Sequence, residues 1–205
     1  YTLWHTLSLH DALPISLFGY AAGKVIESFY RFNLTLRDKV IAHFHEWLTG
    51  AGILYLNQAT PQIGTVFTTH STTVGRNVTA NGSKLYDIID TLNPDNKARE
   101  LGLISKHSLE KISAHTADAF TTVSELTAVE CEKILHEKID QITPNGFEKQ
   151  LVPKGDDYVL KRNTASQKLR EVTEAITGNK IPENAFFIAI SGRYEYKNKG
   201  IDVFI

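Results

Sequence analysis

Three short runs of β-branched and aromatic residues, each closed by polar side chains, constrain this chain more than any other feature. They are Lys39–His45 (KVIAHFH), Gly64–Thr69 (GTVFTT, followed by His70) and Ala119–Val123 (AFTTV). Each has strand chemistry and strand length. Segments of helical character lie before and between them. Leu17–Phe32 reads as a helix, and Glu46–Asn57 is helix-like, with Trp47, Leu48, Ile53, Leu54 and Leu56 available for one face. Asn96–His115 is a long helix candidate with Leu101, Ile104, Leu109 and Ile112 on one stripe. Ser124 offers a cap for a helix whose expected buried side is Leu126, Val129, Ile134 and Leu135. Ser71–Ser83 is polar and contains glycine, and Gln141–Thr143 leads into the turn residues Pro144-Asn145-Gly146. Strands alternating with helices predict a parallel α/β sheet covered on both faces.

The second half of the chain changes character. Glu148–Asp157 (EKQLVPKGDD) reads as a linker, and Asn163–Gly178 as a capped helix with Leu169, Val172 and Ile176 inside. Asn184–Ile190 is a strongly apolar strand candidate that runs into Ser191-Gly192-Arg193 and a basic loop up to Gly200. The expected organisation is therefore four parts. Residues 1–16 fit nothing downstream, carry a string resembling translated adaptor sequence (SLHDALPI), and are set apart as non-native. Residues 17–148 form the C-terminal part of a first α/β domain, 149–183 a linker and helix, and 184–205 the start of a second, truncated domain. With no methionine and a tyrosine at position 1, the chain is expected to be an internal fragment.

Composition excludes several function classes. A formal net charge of −1 lacks the basic excess that nucleic-acid binding needs. No segment approaches the roughly 20 apolar residues of a membrane helix, so neither nucleic acid nor membrane is an expected partner. A single cysteine, Cys131, permits no internal disulfide and no cysteine-ligated zinc site. A reducing, cytoplasmic setting is expected.

Polar groups gather just past the strands, where open α/β sheets bind ligands. His43 and His45 share one strand face, and with Glu46 they raise a metal-hydrolase reading. The alternative is one satisfied core histidine and one ligand-lining donor. His70 and Arg76, six apart, suit a sugar hydroxyl and a phosphate. Arg193 and Lys199, also six apart, suit a diphosphate whose charge grows as it departs. Their alternative is a solvated basic loop in which Glu195 pairs with a neighbour. No G-x-G-x-x-G or Walker pattern and no nucleophile elbow occurs.

Six ordered strings narrow these alternatives: HEWLTG (His45–Gly50), FTTHSTTVGR (Phe67–Arg76), HSLEKISAH (His107–His115), FTTVSE (Phe120–Glu125), TPNG (Thr143–Gly146) and SGRYEYKNKG (Ser191–Gly200). From about Lys39 to Ile205 the chain resembles the glycogen synthases of fungal and animal type, which also occur in some bacteria. The resemblance implies a Rossmann-like parallel sheet in a two-domain glycosyltransferase of the B type, incomplete here. It implies transfer of glucose from UDP-glucose to the 4-hydroxyl of an α-1,4-glucan with retention, with no metal and no cofactor beyond the donor substrate. Carried over by residue type, Glu46, His70, Arg193 and Lys199 are the catalytic positions, and Arg76 and Asn145 line the donor. The partners implied are UDP-glucose and glycogen, with homo-oligomerisation expected of the full-length enzyme. The family's deep second-domain carboxylate is expected beyond Ile205, so this polypeptide alone is not expected to transfer glucose. A related retaining transferase with another nucleotide sugar or acceptor is the competing expectation.

Overall fold

The computed structural model describes residues 2–35, 37–193 and 195–205, with the backbone alone for 2–15. The order of elements is α1 (Thr2–Asn33), β1 (Ile41–His45), a 3-10 turn (Trp47–Thr49), α2 (Gly50–Ala59), β2 (Gly64–Thr69), α3 (Thr73–Ala80), α4 (Leu85–Ile88), α5 (Pro94–Glu100), α6 (Ile104–Thr116), β3 (Ala119–Thr122), α7 (Glu125–Leu135), β4 (Gln141–Ile142), a second 3-10 turn (Lys149–Leu151), α8 (Gly155–Thr177) and α9 (Ile201–Phe204). All strands are parallel, in the order β1-β2-β3-β4. The α/β parallel-sheet class is therefore observed.

Sequential order has a consequence for the layers. Right-handed crossovers between adjacent parallel strands all return over the same face. α2, α3 to α6, and α7 therefore pack together on one side, and the expectation of cover on both faces does not hold among the described residues. The burial of β1 agrees: Ala42 and Phe44 are buried, while Ile41, His43 and His45 point to the exposed face. Phe67 and Phe120 stack beneath the helices at 5.7 Å between ring centres. Two carboxylates pin strand starts. Asp118 accepts from the Thr65 amide at 2.7 Å, and Asp140 from the Phe120 amide at 2.8 Å.

α1 runs on through Asn33 from Thr2, so most of the segment set apart as 1–16 continues the same helix. It crosses α2 at glycines. A Cβ on Gly52 would lie 2.6 Å from the Phe44 ring and 2.7 Å from the Gly19 carbonyl oxygen. Backbone against backbone is the only packing that fits there. The Tyr55 hydroxyl of α2 adds a hydrogen bond to Glu27 of α1.

Several local expectations are corrected. The polar stretch Ser71–Ser83 contains α3, which buries Thr73, Val74, Gly75 and Val78. The single helix Asn96–His115 is two helices, broken where Gly102 takes φ 69°. Its buried face is His107, Glu110, Ser113 and Ala114, while Ile104 and Ile112 are exposed. In α7, Ile134 and Leu135 are buried as expected, but Leu126 and Val129 are exposed and Glu130 and Cys131 take their place. Leu169, Val172 and Ile176 of α8 are all exposed. Asn184–Ile190 forms no strand, because no neighbouring strand is present among the described residues to accept its hydrogen bonds.

Candidate functional site

The site is built from the chain just past β1 and β2. Glu46 follows β1 with φ 63° and ψ 160°, a region open in practice only to glycine. Holding a glutamate there costs about 1–3 kcal/mol and needs outside support. The sheet supplies it. The Glu46 amide donates to the Thr68 carbonyl at 2.9 Å, and its Oε1 accepts from the His70 amide at 2.9 Å. The strained residue thus ties the ends of both strands together.

His70 Nε2 lies 3.1 Å from His45 Nδ1, so one ring donates and the other accepts. Burial, then the neighbouring His43 and His70 rings, holds His45 below the usual imidazole range. His43 Nε2 sits 2.6 Å from the Thr68 hydroxyl, which in turn meets the Thr121 hydroxyl at 2.6 Å. The histidines of the metal-hydrolase reading are engaged with each other and with threonines. Among the described residues no three His, Cys, Asp or Glu side chains converge as a metal site.

Thr72 then caps α3, its hydroxyl accepting from the Gly75 amide at 3.0 Å. One turn on, Arg76 reaches back to the Ser71 hydroxyl through Nε and Nη2 at 3.2 and 2.9 Å. The helix start is gripped from beneath by two buried acids. Glu130 Oε1 accepts from the Thr72 amide and hydroxyl, both at 2.7 Å, and Glu110 Oε2 accepts from the Thr73 amide at 2.9 Å.

The basic loop 193–199 faces α3. Arg193 pairs with Glu195 at 3.0 Å, as the solvated-loop alternative anticipates. The Asn198 amide donates to the Arg76 carbonyl at 3.5 Å and to Glu195 at 3.3 Å, so the loop is docked on the helix that carries Arg76. Between them lies a cleft of about 420 Å³. His70, Arg76, Asn145, Arg193 and Lys199 all line it. Glu46 lies to one side, in a neighbouring hollow of about 170 Å³ that shares Ser71 and Arg76 with the cleft. There the Lys106 ammonium stands 5.4 Å from the Trp47 ring centre. Five of the six positions singled out from sequence thus share one space, and the sixth holds the backbone of one of the five.

An imidazole and four cationic side chains, Arg76, Arg193, Lys197 and Lys199, around one concavity suit a phosphorylated, hydroxyl-rich ligand. Comparison with known proteins gives that chemistry a family. The sequence profile of the family described as glycogen synthase matches residues 8–205. The chain belongs to the glycogen synthase family. A glycogen [starch] synthase isoform 2 of Saccharomyces cerevisiae is 36% identical over 180 residues, covering 84% of this chain and 25% of that protein. The Dictyostelium discoideum glycogen [starch] synthase is 35% identical over 196 residues, covering 92% of this chain and 22% of its own length. The liver glycogen [starch] synthase of Rattus norvegicus is 34% identical over 169 residues, 81% of this chain and 24% of the relative. The chain therefore spans about a quarter of the length of the curated relatives it matches. No described helix is long and apolar enough to cross a membrane.

Sequence reasoning overlooked several residues of this family member's cleft. Lys197 and Asn198 belong to the same loop, and their position between Arg193 and Lys199 was a visible signal. Tyr86, whose hydroxyl donates to Glu130 at 3.0 Å, and Glu130 itself carried none. A buried acid in a helix looks like any surface acid until its partner amide is known.

Proposed function

We propose that this chain supplies the donor-binding cleft of an enzyme that moves glucose from UDP-glucose to the 4-hydroxyl of an α-1,4-glucan, with retention at the anomeric carbon. The observation that carries the proposal is the shared cleft, with His70 and Arg76 on one wall and Arg193 and Lys199 on the other. The diphosphate lies against Arg193 and Lys199, whose positive charge stabilises the UDP as its bond to glucose breaks. Arg193 exchanges its Glu195 partner for phosphate oxygens, which offer a bidentate match. His70, oriented by its hydrogen bond with His45, hydrogen-bonds a glucose hydroxyl. Arg76 reaches the sugar–phosphate junction, Asn145 borders the same space, and Glu46 fixes the His70 backbone beside the sugar. Enclosure between two walls excludes water, which strengthens each of these contacts.

Isothermal titration of the chain with UDP-glucose tests the proposal. Saturable binding that is lost in the Arg193→Ala, Lys199→Ala double variant supports it. Binding that survives the double variant, or its absence in the unaltered chain, contradicts it. In the full-length protein the same substitutions are expected to abolish glucan-dependent release of UDP.

A further inference from the structure

The motif HSLEKISAH leaves one residue that donor binding does not use. Glu110 is fully buried on the inner face of α6. Its Oε2 accepts from the Thr73 amide, and its Oε1 has no hydrogen-bond partner among the described residues. A buried carboxyl with one unsatisfied oxygen is costly and calls for an explanation. What depends on it here is the first turn of α3. The amides of that turn have no partner in the preceding backbone ladder of the helix, and the turn has no acidic residue of its own. Glu110 from α6 takes the Thr73 amide, and Glu130 from α7 takes the Thr72 amide and hydroxyl. Two negative or polarisable groups at a helix N-terminus also complement its dipole.

The same turn carries the cleft wall. The Arg76 amide donates to the Thr72 carbonyl at 3.0 Å, and His70 and Ser71 immediately precede Thr72. Space around the grip is fully used. A Cβ on Gly75 would lie 2.5 Å from Glu130 Oε1 and 2.8 Å from the Thr72 hydroxyl. Any movement of Thr72 and Thr73 is therefore movement of His70 and Arg76. We propose that Glu110 and Glu130 form a carboxylate clamp, a pair of positioning residues that set the start of α3 and so place His70 and Arg76 in the cleft. The proposal rests on the reading of that cleft as the donor site.

The clamp has a protonation state. Burial, reinforced by the charges of Glu46 and Glu130 and opposed by the Thr73 amide, pushes the Glu110 carboxyl up to about 8. The groups that face it are Glu46 past β1 and Glu130 and Cys131 on α7. From α5, Asp95 is engaged with His107 and Lys111, and α2 brings no charged side chain. Ionisation adds a negative charge among carboxylates one turn from Arg76, which weakens the hold on a diphosphate.

Glu110→Gln keeps an oxygen for the Thr73 amide and cannot ionise, whereas Glu110→Ala removes the grip. Leu56→Ala, in the core of α2, controls for loss of stability alone. The amide signals of Thr73 and Arg76 are followed by NMR from pH 6 to 9.5, and UDP-glucose affinity by calorimetry at the same pH values. In the unaltered chain both amides are expected to shift with one midpoint near pH 8, with affinity falling several-fold across it. Glu110→Gln is expected to be flat in both and to match the unaltered chain at pH 7. Glu110→Ala is expected to displace the Arg76 signal and weaken binding about tenfold or more, while Leu56→Ala changes neither. If Glu110→Ala does not fold, the pH arms of Glu110→Gln decide the matter. The clamp is overturned if the amides titrate equally in Glu110→Gln, or if a folded Glu110→Ala leaves Arg76 and affinity unchanged. It is also overturned if Leu56→Ala moves both as far. Should the unaltered chain not bind UDP-glucose, the donor reading fails, and the amide shifts still judge the clamp.

Discussion

The two walls of the cleft are made differently. The His70–Arg76 wall rests on buried partners: the strained Glu46, the Thr72 cap, and the acids Glu110 and Glu130 beneath α3. Among the described residues the 193–199 wall is held by the Arg193–Glu195 ion pair, the Asn198 side-chain hydrogen bonds and its own backbone turns, and its Arg193 side chain is 66% exposed. A pre-organised wall loses little entropy when a ligand arrives, whereas a loosely held one can exchange partners and follow the charge. Under the proposed function, sugar recognition falls to the rigid wall and phosphate charge to the adaptable one.

The contrast can be broken first at the cations. Removing both Arg193 and Lys199 deletes two charge-assisted contacts of about 1.5–3 kcal/mol each. UDP-glucose affinity is expected to fall at least a hundredfold by calorimetry, with the melting temperature nearly unchanged. The rigid wall should behave in the opposite way. Gly75→Ala drives a methyl against Glu130 and Thr72, which cannot yield without moving α3. A loss of about 1–3 kcal/mol in denaturant unfolding is expected, together with weaker donor binding.

Glu110 sharpens the comparison through pH. Its folded carboxyl holds a proton up to about pH 8, which the unfolded chain releases near 4.5. Between those values the folded state binds more protons, so this group's effect on stability becomes less favourable as pH rises through the window, then levels off. Thermal unfolding from pH 5 to 9 should show that decline on the order of a few kcal/mol, and Glu110→Gln should flatten it. The smallest effect belongs to Glu195. Glu195→Gln frees Arg193 and removes a negative charge from the cleft. An exposed pair is worth about 0.2–1 kcal/mol, so UDP-glucose should bind about 1.5- to 5-fold tighter.

How much of this was legible in the chain follows the same division. β1, β2 and β3 were plain because their side chains alternate or run apolar within one element. The Ser124 cap was plain because capping is local, and the Thr127 amide does donate to its hydroxyl. His70, Arg76, Arg193 and Lys199 stood out only through the family strings FTTHSTTVGR and SGRYEYKNKG that contain them, since taken alone each had a structural alternative. α6 and α7 misled because their inner faces carry His107, Glu110 and Glu130, so the apolar period pointed outward to Ile112, Leu126 and Val129. Those acids serve amides of α3, a partner distant in sequence, and no local pattern encodes that. α3 itself was hidden behind a polar start, because the hydroxyl of Thr72 just before it is spent on capping and on Glu130. Asn184–Ile190 had strand composition, but a strand also needs a neighbour.

The central claim is that both walls close on one ligand. It is tested most directly by titrating the isotopically labelled chain with UDP-glucose and following the backbone amides of residues 70–76 and of the loop 193–199. The account predicts that both sets shift along a single saturation curve with one dissociation constant. Shifts confined to one wall, or two sets that saturate at different concentrations, would contradict it.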